Sequence, residues 1–292
     1  MQLTDLSSSD NLAIHAAERS MGAVLIDAGK INAEQVQQIL GLQAELGMRF
    51  GDAALQLGYC TPADIDFALS RQFDYAYLKR GESGLSETLV AAYDPFTARV
   101  EALRALRAQL MLRWFSDAAR KSLAIVSPAS GEGRSYVAAN LAIVFSQLGQ
   151  RTLLIDADLR EPSQHRLFGL ENRYGLSAVL SGRASTETIH RIPDLLDLSV
   201  LPAGVVPPNP QELLARPAFA QMLGQFGEHF DVIILDTAPA AATADAQTVA
   251  ARVGAALVVA KKKRSATGQI RALAQSLVQG RSEVLGAVLN EF

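Results

Sequence analysis

The sequence predicts an α/β fold in which helices sandwich a mostly parallel sheet, preceded by a small, mainly helical domain of two tandem repeats. Two observations lead to this prediction. Apolar strand segments alternate with helical segments through most of the chain, and the N-terminal part matches itself at one constant offset. Such alternation is typical of a parallel sheet covered on both faces. A chain of 292 residues is long enough for two domains.

The internal repeat lies before the α/β region. Its aligned pairs are Gly22 with Gly51, Gly29 with Gly58, Val36 with Ile65, Leu40 with Leu69, and Gln43 with Gln72. In each copy a short apolar stretch ends at a glycine, a capping residue (Asn32 or Thr61) follows, and an apolar helix face ends at the glutamine. Each copy therefore predicts two short helices joined by a glycine turn.

We predict that the repeat domain covers residues 1–78 and the α/β domain covers 96–292. The segment between them, 79–95, is rich in Gly, Ser, Glu and Asp and has weak periodicity, which is typical of an interdomain linker. A helix is expected over 96–114. The predicted strands lie at 123–127, 152–156, 198–201, 232–236, 255–260 and 285–289.

The first strand of the α/β region leads into Pro128-Ala-Ser-Gly-Glu-Gly-Arg-Ser135, and a helix follows. Glycines let a backbone approach a phosphate closely, and the N–H groups at a helix start attract it. The candidate nucleotide-binding residues are Gly131, Glu132, Gly133, Arg134, Ser135 and Tyr136. Compared with the Walker A pattern, Pro128 replaces the first glycine and Arg134 replaces the lysine, which retains the charge in a planar fork. An ordinary glycine-rich turn is the alternative for this loop alone.

Aspartates stand at the ends of two other strands. Asp156 and Asp158 end one, and Asp236 ends another. The carboxyl ends of strands in an open parallel sheet meet at one crevice, where the phosphate loop also lies. Each aspartate alone is equally compatible with a helix cap or a surface turn. Together with the loop they predict a site for ATP and Mg²⁺.

These motifs resemble those of bacterial (BY-type) tyrosine kinases of exopolysaccharide biosynthesis, over residues 93–292. The phosphate loop and Asp156-Ala-Asp-Leu-Arg160 are similar to their Walker A and A′ motifs, and Asp236-Thr-Ala-Pro to their Walker B. Two further motifs agree, Glu101-x-x-Arg104-x-x-Arg107 and Pro207-Pro-Asn-Pro-Gln-Glu-Leu-Leu214. Taken singly, a Glu/Arg helix is often a solvated face and the proline segment an ordinary helix start.

The resemblance implies roles for these residues. Arg134 and Ser135 would hold phosphates and Mg²⁺, Asp158 and Asp236 would organise the metal, and Asp156 would act on the attacking hydroxyl. It further implies a homo-oligomer formed through Glu101, Arg104 and Arg107, and a membrane polysaccharide chain-length regulator as a separate partner chain. Such kinases carry a C-terminal tyrosine cluster, whereas no tyrosine follows Tyr174 here. We therefore expect no autophosphorylation of a C-terminal tail.

The N-terminal repeats resemble the N-terminal domain of type II secretion and pilus-assembly ATPases (MshEN-like), including the version that binds cyclic di-GMP. The second copy matches at Arg49, Gly51, Gly58 and Gln72. The first copy has Gly22, Gly29 and Gln43, but Ser20 in place of the arginine, with Arg19 beside it. The resemblance implies cyclic di-GMP as a regulatory ligand. A small helical docking domain is the alternative.

Composition excludes several classes of function. The net charge of −3 gives no field for recruiting nucleic acid polymers, and the single cysteine, Cys60, excludes an internal disulfide. Apolar runs such as 253–260 are too short to span a membrane, and no secretion leader is evident. We expect a cytoplasmic protein that associates with membranes through a partner. The basic run Lys261-Lys-Lys-Arg264 either contacts that partner or lipid, or is a solvated edge near the nucleotide.

Three functions remain open. The chain is an enzyme that hydrolyses ATP or phosphorylates tyrosine on another protein, or it is a nucleotide-binding scaffold, as Arg134 and the missing tyrosines suggest. A partitioning ATPase of the deviant Walker type is disfavoured, because its signature lysine is replaced by Ala129.

Overall fold

The structure is a computed structural model, and it describes residues 20–72, 78, 80–81, 83–184, 186–195 and 197–291. Contacts between Cα atoms divide the chain into two compact units, Met1–Tyr77 and Leu78–Phe292. No helix in these described ranges is both long and apolar enough to span a membrane.

The first unit contains the four predicted helices: α1 (Met21–Asp27), α2 (Ala33–Leu46), α3 (Phe50–Gln56) and α4 (Pro62–Gln72). Polar caps set where the helices begin. Ser20 caps α1 by accepting a hydrogen bond from the Ala23 amide at 3.2 Å. Asn32 caps α2 in a reciprocal capping box, and Thr61 exchanges hydrogen bonds with Asp64 at the start of α4.

The two copies of the repeat pack in the same way. A Cβ on Gly22 would lie 3.5 Å from Cγ1 of Val36, and a Cβ on Gly51 would lie 3.0 Å from Cγ2 of Ile65. Both glycines are buried, so they allow close approach between helices of the same copy. The copies share a core formed by Leu25, Ile31, Ile39, Ala53, Ala54, Cys60, Ile65 and Ala68.

The second unit contains a seven-stranded sheet with the order β3-β4-β2-β5-β1-β6-β7. Its strands are β1 (Ser122–Val126), β2 (Thr152–Asp156), β3 (His190–Arg191), β4 (Leu198–Leu201), β5 (Val232–Asp236), β6 (Ala255–Lys261) and β7 (Glu283–Asn290). All neighbouring strands are parallel except β3, which pairs antiparallel to β4. The predicted α/β fold is therefore confirmed. The two-residue edge strand β3 was not predicted, because two residues carry no periodic pattern.

Nine α-helices accompany the sheet in the described part of this unit. They are α5 (Val90–Tyr93), α6 (Ala98–Arg113), α7 (Arg134–Ser146), α8 (Gln164–Leu167), α9 (Leu176–Leu180), α10 (Pro210–Ala215), α11 (Pro217–His229), α12 (Asp245–Val253) and α13 (Thr267–Gln279). Alternate strand residues enter different cores. In β1, Leu123 and Ile125 pack with α5, α6 and α7, whereas Ala124 and Val126 pack with α10 to α13. Helices therefore cover both faces of the sheet.

The prediction that residues 79–95 form a linker is wrong for residues 89–93. Leu89 to Tyr93 are buried in the core that contains α7. The Ala91 amide donates to the Asn140 side chain at 2.9 Å, and the Gln147 side chain donates to the Ala91 carbonyl at 2.8 Å. The apolar segment 89–93 is short and has polar neighbours on its N-terminal side, so the sequence pattern predicts a linker. In the structure this segment packs as part of the second unit.

The glycine contacts generate a prediction about stability. We expect Gly51→Val to destabilise the first unit by about 1–3 kcal/mol, because its side chain would overlap Ile65. The matched control is Gly41→Ala in the middle of α2, where a Cβ meets nothing within 4 Å. That change should stabilise the unit by about 0.5–1 kcal/mol through helix propensity. Amide hydrogen exchange of α1 to α4 in the intact chain measures both effects, and equal protection in the two variants would contradict the packing argument.

Candidate nucleotide site

The phosphate loop connects β1 to α7, and its two glycines adopt backbone conformations that other residues rarely reach. Gly131 has φ +73° and Gly133 has φ +92°. Space imposes a second constraint, since a Cβ on Gly133 would lie 1.9 Å from Nδ2 of Asn290. The loop shape thus depends on glycine at both positions.

The Glu132 side chain points into the protein. It is 1% exposed, and its Oε2 accepts a hydrogen bond from the Ala129 amide at 2.8 Å. Its Oε1 accepts from the Ser265 hydroxyl, and its carbonyl accepts from the Asn290 side chain at 3.1 Å. Glu132 was predicted to bind the nucleotide. Its side chain instead holds the loop, which leaves the backbone as its possible contribution to binding.

Tyr136 was also predicted to bind the nucleotide. It lines a cavity of about 540 Å³ together with residues of α6 and 288–291 at the end of β7. Its carbonyl accepts a hydrogen bond from the Asn140 side chain at 3.0 Å. The helix turns this side chain toward α6, which leaves the backbone as the possible contribution of Tyr136 to binding.

The three predicted aspartates meet at the carboxyl edge of the sheet. Asp156 and Asp236 are directly paired across the parallel strands β2 and β5, and Asp158 follows two residues after Asp156. All three are buried. Asp156 accepts hydrogen bonds from the Ser163 and Gln164 amides, each at 2.9 Å. The predicted convergence of these carboxylates is thus present in the structure.

Arg134 lies between two of these carboxylates. Its Nη2 is 3.2 Å from Oδ2 of Asp158 and its Nε is 3.4 Å from Oδ1 of Asp236. Its Nη1 donates to the Ser127 hydroxyl at 2.7 Å, and the residue is 7% exposed. The guanidinium therefore supplies the positive charge that the buried acids require.

Burial raises the pKa of Asp156 well above its ordinary value, and the negative charge of Asp236 adds to this effect. Burial also raises the pKa of Asp236. The Arg134 guanidinium and hydrogen bonds from Ser135 and Gln164 act in the opposite direction on Asp236. The cluster thus favours binding a proton or a cation.

The residues present fit a hard divalent cation by their chemistry. Ser135, Asp158 and Asp236 offer oxygen donors, which Mg²⁺ prefers. Oδ1 of Asp236 is buried and accepts no hydrogen bond from the described residues, although it lies next to Arg134. The described ranges contain no preformed group of three His, Cys, Asp or Glu side chains arranged to hold a metal. A cation would therefore share its carboxylates with Arg134.

Comparisons with known proteins agree with this geometry. The family model ParA, described as NUBPL iron-transfer P-loop NTPase, matches residues 118–291. Tyrosine-protein kinase YwqD of Bacillus subtilis is 35% identical over 215 residues, which are 74% of this chain and 90% of YwqD. The chain belongs to the bacterial tyrosine-protein kinase family of P-loop NTPases.

Two other relatives show which part of the family is matched. The kinase domain of Escherichia coli tyrosine kinase ETK superposes with a TM-score of 0.68 at 34% identity, covering 73% of this chain and 83% of that domain. The putative tyrosine-protein kinase EpsB of Ralstonia solanacearum is 36% identical over 202 residues, 69% of this chain. That match spans only 27% of EpsB.

Two residues that contact this site, Gln164 and Arg160, were not among the predicted site residues, although the A′ motif contains Arg160. The Gln164 side chain donates to Asp236 at 2.8 Å and to the Ser135 carbonyl at 3.2 Å. Arg160 Nε donates to the buried Asp245 at 2.7 Å, which ties the loop after β2 to the start of α12. The signal for Arg160 was its place in the A′ motif. No sequence signal identified Gln164, because its role depends on β5, which is distant along the chain.

The Glu/Arg motif of the sequence lies on α6, and its three residues differ in exposure. Glu101 is exposed and pairs with Arg104 at 3.0 Å. Arg107 donates to the Val144 carbonyl of α7 at 2.5 Å. Arg107 thus has a partner within its own unit, and Glu101 is the motif residue that faces solvent.

The residues predicted to bind cyclic di-GMP occupy equivalent positions in the two copies. Ser20 and Arg49 are the N-cap residues of α1 and α3, and Arg49 is exposed. Gly29 and Gly58 form left-handed turns after these helices, and Gln43 is half-buried in α2. Arg19 and the Gln72 side chain lie outside the described residues.

The pairing of Arg134 generates a prediction about stability and pH. Arg134→Met should destabilise the second unit by about 3–5 kcal/mol, because it leaves buried carboxylates without a counter-ion. A raised folded-state pKa of Asp236 gives stability that is present at low pH and lost as pH rises. Removing Arg134 raises this pKa further, so the loss should be larger at pH 8 than at pH 5.

Fluorescence of Trp114, the single tryptophan, reports on this unit, because the residue is buried there and its Nε1 donates to the Ser122 carbonyl. Arg134→Lys is the matched control, since it keeps the charge and should show a smaller loss. A loss that is equal at both pH values would contradict the role of Arg134 as counter-ion.

Proposed function

We propose that the second unit binds ATP with Mg²⁺ and catalyses phosphoryl transfer, either to water or to a tyrosine on another protein. The observation that carries this proposal is the convergence of a phosphate loop with Asp156, Asp158 and Asp236 at one edge of the sheet. Phosphoryl transfer requires mainly positioning and charge neutralisation. This set of groups can supply both.

We assign a role to each residue of the site from its position in the fold. Backbone N–H groups from Gly131 to Ser135 hold the phosphates at the start of α7. Ser135, Asp158 and Asp236 hold Mg²⁺, which when bound neutralises charge on the phosphates. Asp156 accepts the proton of the attacking hydroxyl. Its raised pKa suits this role, because a carboxylate of higher pKa is a stronger base.

A nucleotide-binding scaffold with little catalysis is the second candidate. The observation that favours it is the placement of Arg134, whose guanidinium is bound by Ser127, Asp158 and Asp236. A guanidinium held by these partners is less available to a phosphate than the ammonium of a lysine on a flexible stem.

Two substitutions distinguish the candidates. In the enzyme hypothesis, Asp156→Asn abolishes turnover of labelled ATP by the intact chain with a fragment of the membrane partner, because the base is lost. General-base loss typically lowers rates by about 10²–10⁴-fold. Arg134→Lys leaves an already active protein little changed. In the scaffold hypothesis, Arg134→Lys raises turnover from an undetectable level.

Binding of ATP serves as the control, because Asp156→Asn should still bind it. Unchanged turnover in Asp156→Asn would refute the enzyme hypothesis.

We further propose that the protein acts in exopolysaccharide biosynthesis in the cytoplasm, associated with a membrane through a separate chain-length regulator. Assembly into a homo-oligomer through α6 is part of this proposal. The exposure of Glu101 supports it, since its carboxylate faces solvent although it pairs with Arg104. On assembly Glu101 and Arg104 would have to exchange partners, and so would Arg107, which donates to the Val144 carbonyl.

For the first unit we propose a regulatory role, with cyclic di-GMP as the candidate ligand. The matching positions of the two copies support it, because a dinucleotide with two equivalent halves suits a duplicated site. Arg49 is exposed at the start of α3 and can reach a phosphate or guanine. In the first copy Ser20 caps α1 instead, so among the described residues Arg49 is the arginine at these matching positions. A docking domain without ligand is the alternative.

Calorimetric titration of the intact chain with cyclic di-GMP tests this role. We expect Arg49→Ala to weaken binding by about tenfold or more, since hydrogen bonds to charged groups contribute about 1.5–3 kcal/mol. Ser20→Arg should strengthen it by restoring the second arginine. Gly41→Ala is the control, because Gly41 is not one of the matching residues and a Cβ there meets nothing within 4 Å. If neither the unchanged protein nor Ser20→Arg released or absorbed heat on titration with cyclic di-GMP, the docking domain would be the remaining interpretation.

A further inference from the structure

The basic run of residues 261–264 follows β6 and lies beside the phosphate loop. Arg264 extends its guanidinium over Gly131, with Nη1 3.5 Å from the Gly131 carbonyl oxygen. A Cβ on Gly131 would lie 2.9 Å from Nη1 and 3.1 Å from Nη2 of Arg264. The guanidinium therefore lies directly against the backbone that is expected to surround a phosphate.

The turn that carries Arg264 is tied to the loop. The Lys261 amide donates to the Ser265 hydroxyl at 2.7 Å, and this hydroxyl donates to the buried Glu132. The Lys262 amide donates to the Asn290 carbonyl at 2.9 Å, while the Asn290 side chain donates to the Glu132 carbonyl. Glu132 and Asn290 are both buried. The position of the turn against the loop is therefore fixed by a buried network.

Arg264 differs from Lys262 in the same run in its salt-bridge partners. Lys262 forms a salt bridge with Glu291 at 2.8 Å. Arg264 is exposed, and within the described ranges no carboxylate lies within 4 Å of its guanidinium. At the mouth of the phosphate loop, its guanidinium thus forms no salt bridge with a described acid.

Arg134, in contrast, is buried and paired with carboxylates. It stands at the Walker lysine position, yet its guanidinium is bound to Asp158, Asp236 and Ser127 in the interior. A nucleotide's phosphates bring several negative charges to the loop. Arg264 is an exposed cation whose guanidinium lies against the loop.

We propose that Arg264 is a nucleotide-binding residue whose guanidinium binds phosphate oxygens at the outer side of the loop, and thereby supplies the charge that Arg134 directs to the carboxylates. The planar fork suits this contact, because guanidinium can bind phosphate through two parallel hydrogen bonds. This inference rests on the proposed function, namely that the loop holds ATP.

The test is calorimetric titration of the intact chain with ATP and Mg²⁺. Arg264→Gln should raise the Kd about tenfold or more, and Arg264→Lys should recover part of the loss because it keeps the charge. Lys262→Gln is the matched control, since it removes from the same turn a positive charge that pairs with Glu291. We expect it to change the Kd by less than about twofold. The Tm without nucleotide should be the same for Arg264→Gln and the unchanged protein.

Salt concentration distinguishes a phosphate contact from stacking on the base. The difference between the unchanged protein and Arg264→Gln should shrink as salt is raised, because exposed charge pairs are screened. A difference that stays constant with salt would overturn the phosphate contact, as would equal Kd values for Arg264→Gln and Lys262→Gln. Failure of the unchanged protein to bind ATP would instead overturn the proposed function.

Discussion

The site depends on one constraint: buried carboxylates at the ends of parallel strands require a positive charge close to them. Register places Asp156 and Asp236 side by side, and burial excludes the water that would otherwise stabilise their charges. Arg134 meets part of this requirement from the first turn of α7. The strand order, the phosphate loop and the helix after it are therefore linked by electrostatics as well as by packing.

The loop itself is shaped by distant parts of the chain. Asn290 at the end of β7 and Ser265 after β6 both bind Glu132, and Gly133 leaves room for the Asn290 amide. Both contacts come from the side of the sheet where β6 and β7 lie beside β1. A substitution at Ser265 or Asn290 would consequently alter the shape of the phosphate loop, although both residues are distant from it along the chain.

The sequence was sufficient for features that depend on local pattern. Apolar runs ending in aspartate predicted β2 and β5, and parallel topology then required their carboxylates to meet. It was insufficient where a side chain's direction depends on tertiary contacts. Glu132 and Tyr136 adjoin phosphate-loop positions, yet one side chain points inward and the other lines a cavity with α6. The buried segment around Ala91 was likewise hidden by polar neighbours on both sides.

Arginine at the Walker lysine position changes how charge is distributed in the site. A guanidinium has enough donors to contact Ser127, Asp158 and Asp236 together, whereas an ammonium is a compact point charge on a flexible stem. If Arg134 turned toward a phosphate, two buried carboxylates would lose their counter-ion, at a cost of several kcal/mol. In the proposed site, a divalent cation that arrives with the nucleotide would remove this cost, because it would bind the same carboxylates. Nucleotide and metal binding should therefore be more strongly coupled here than in a site with lysine.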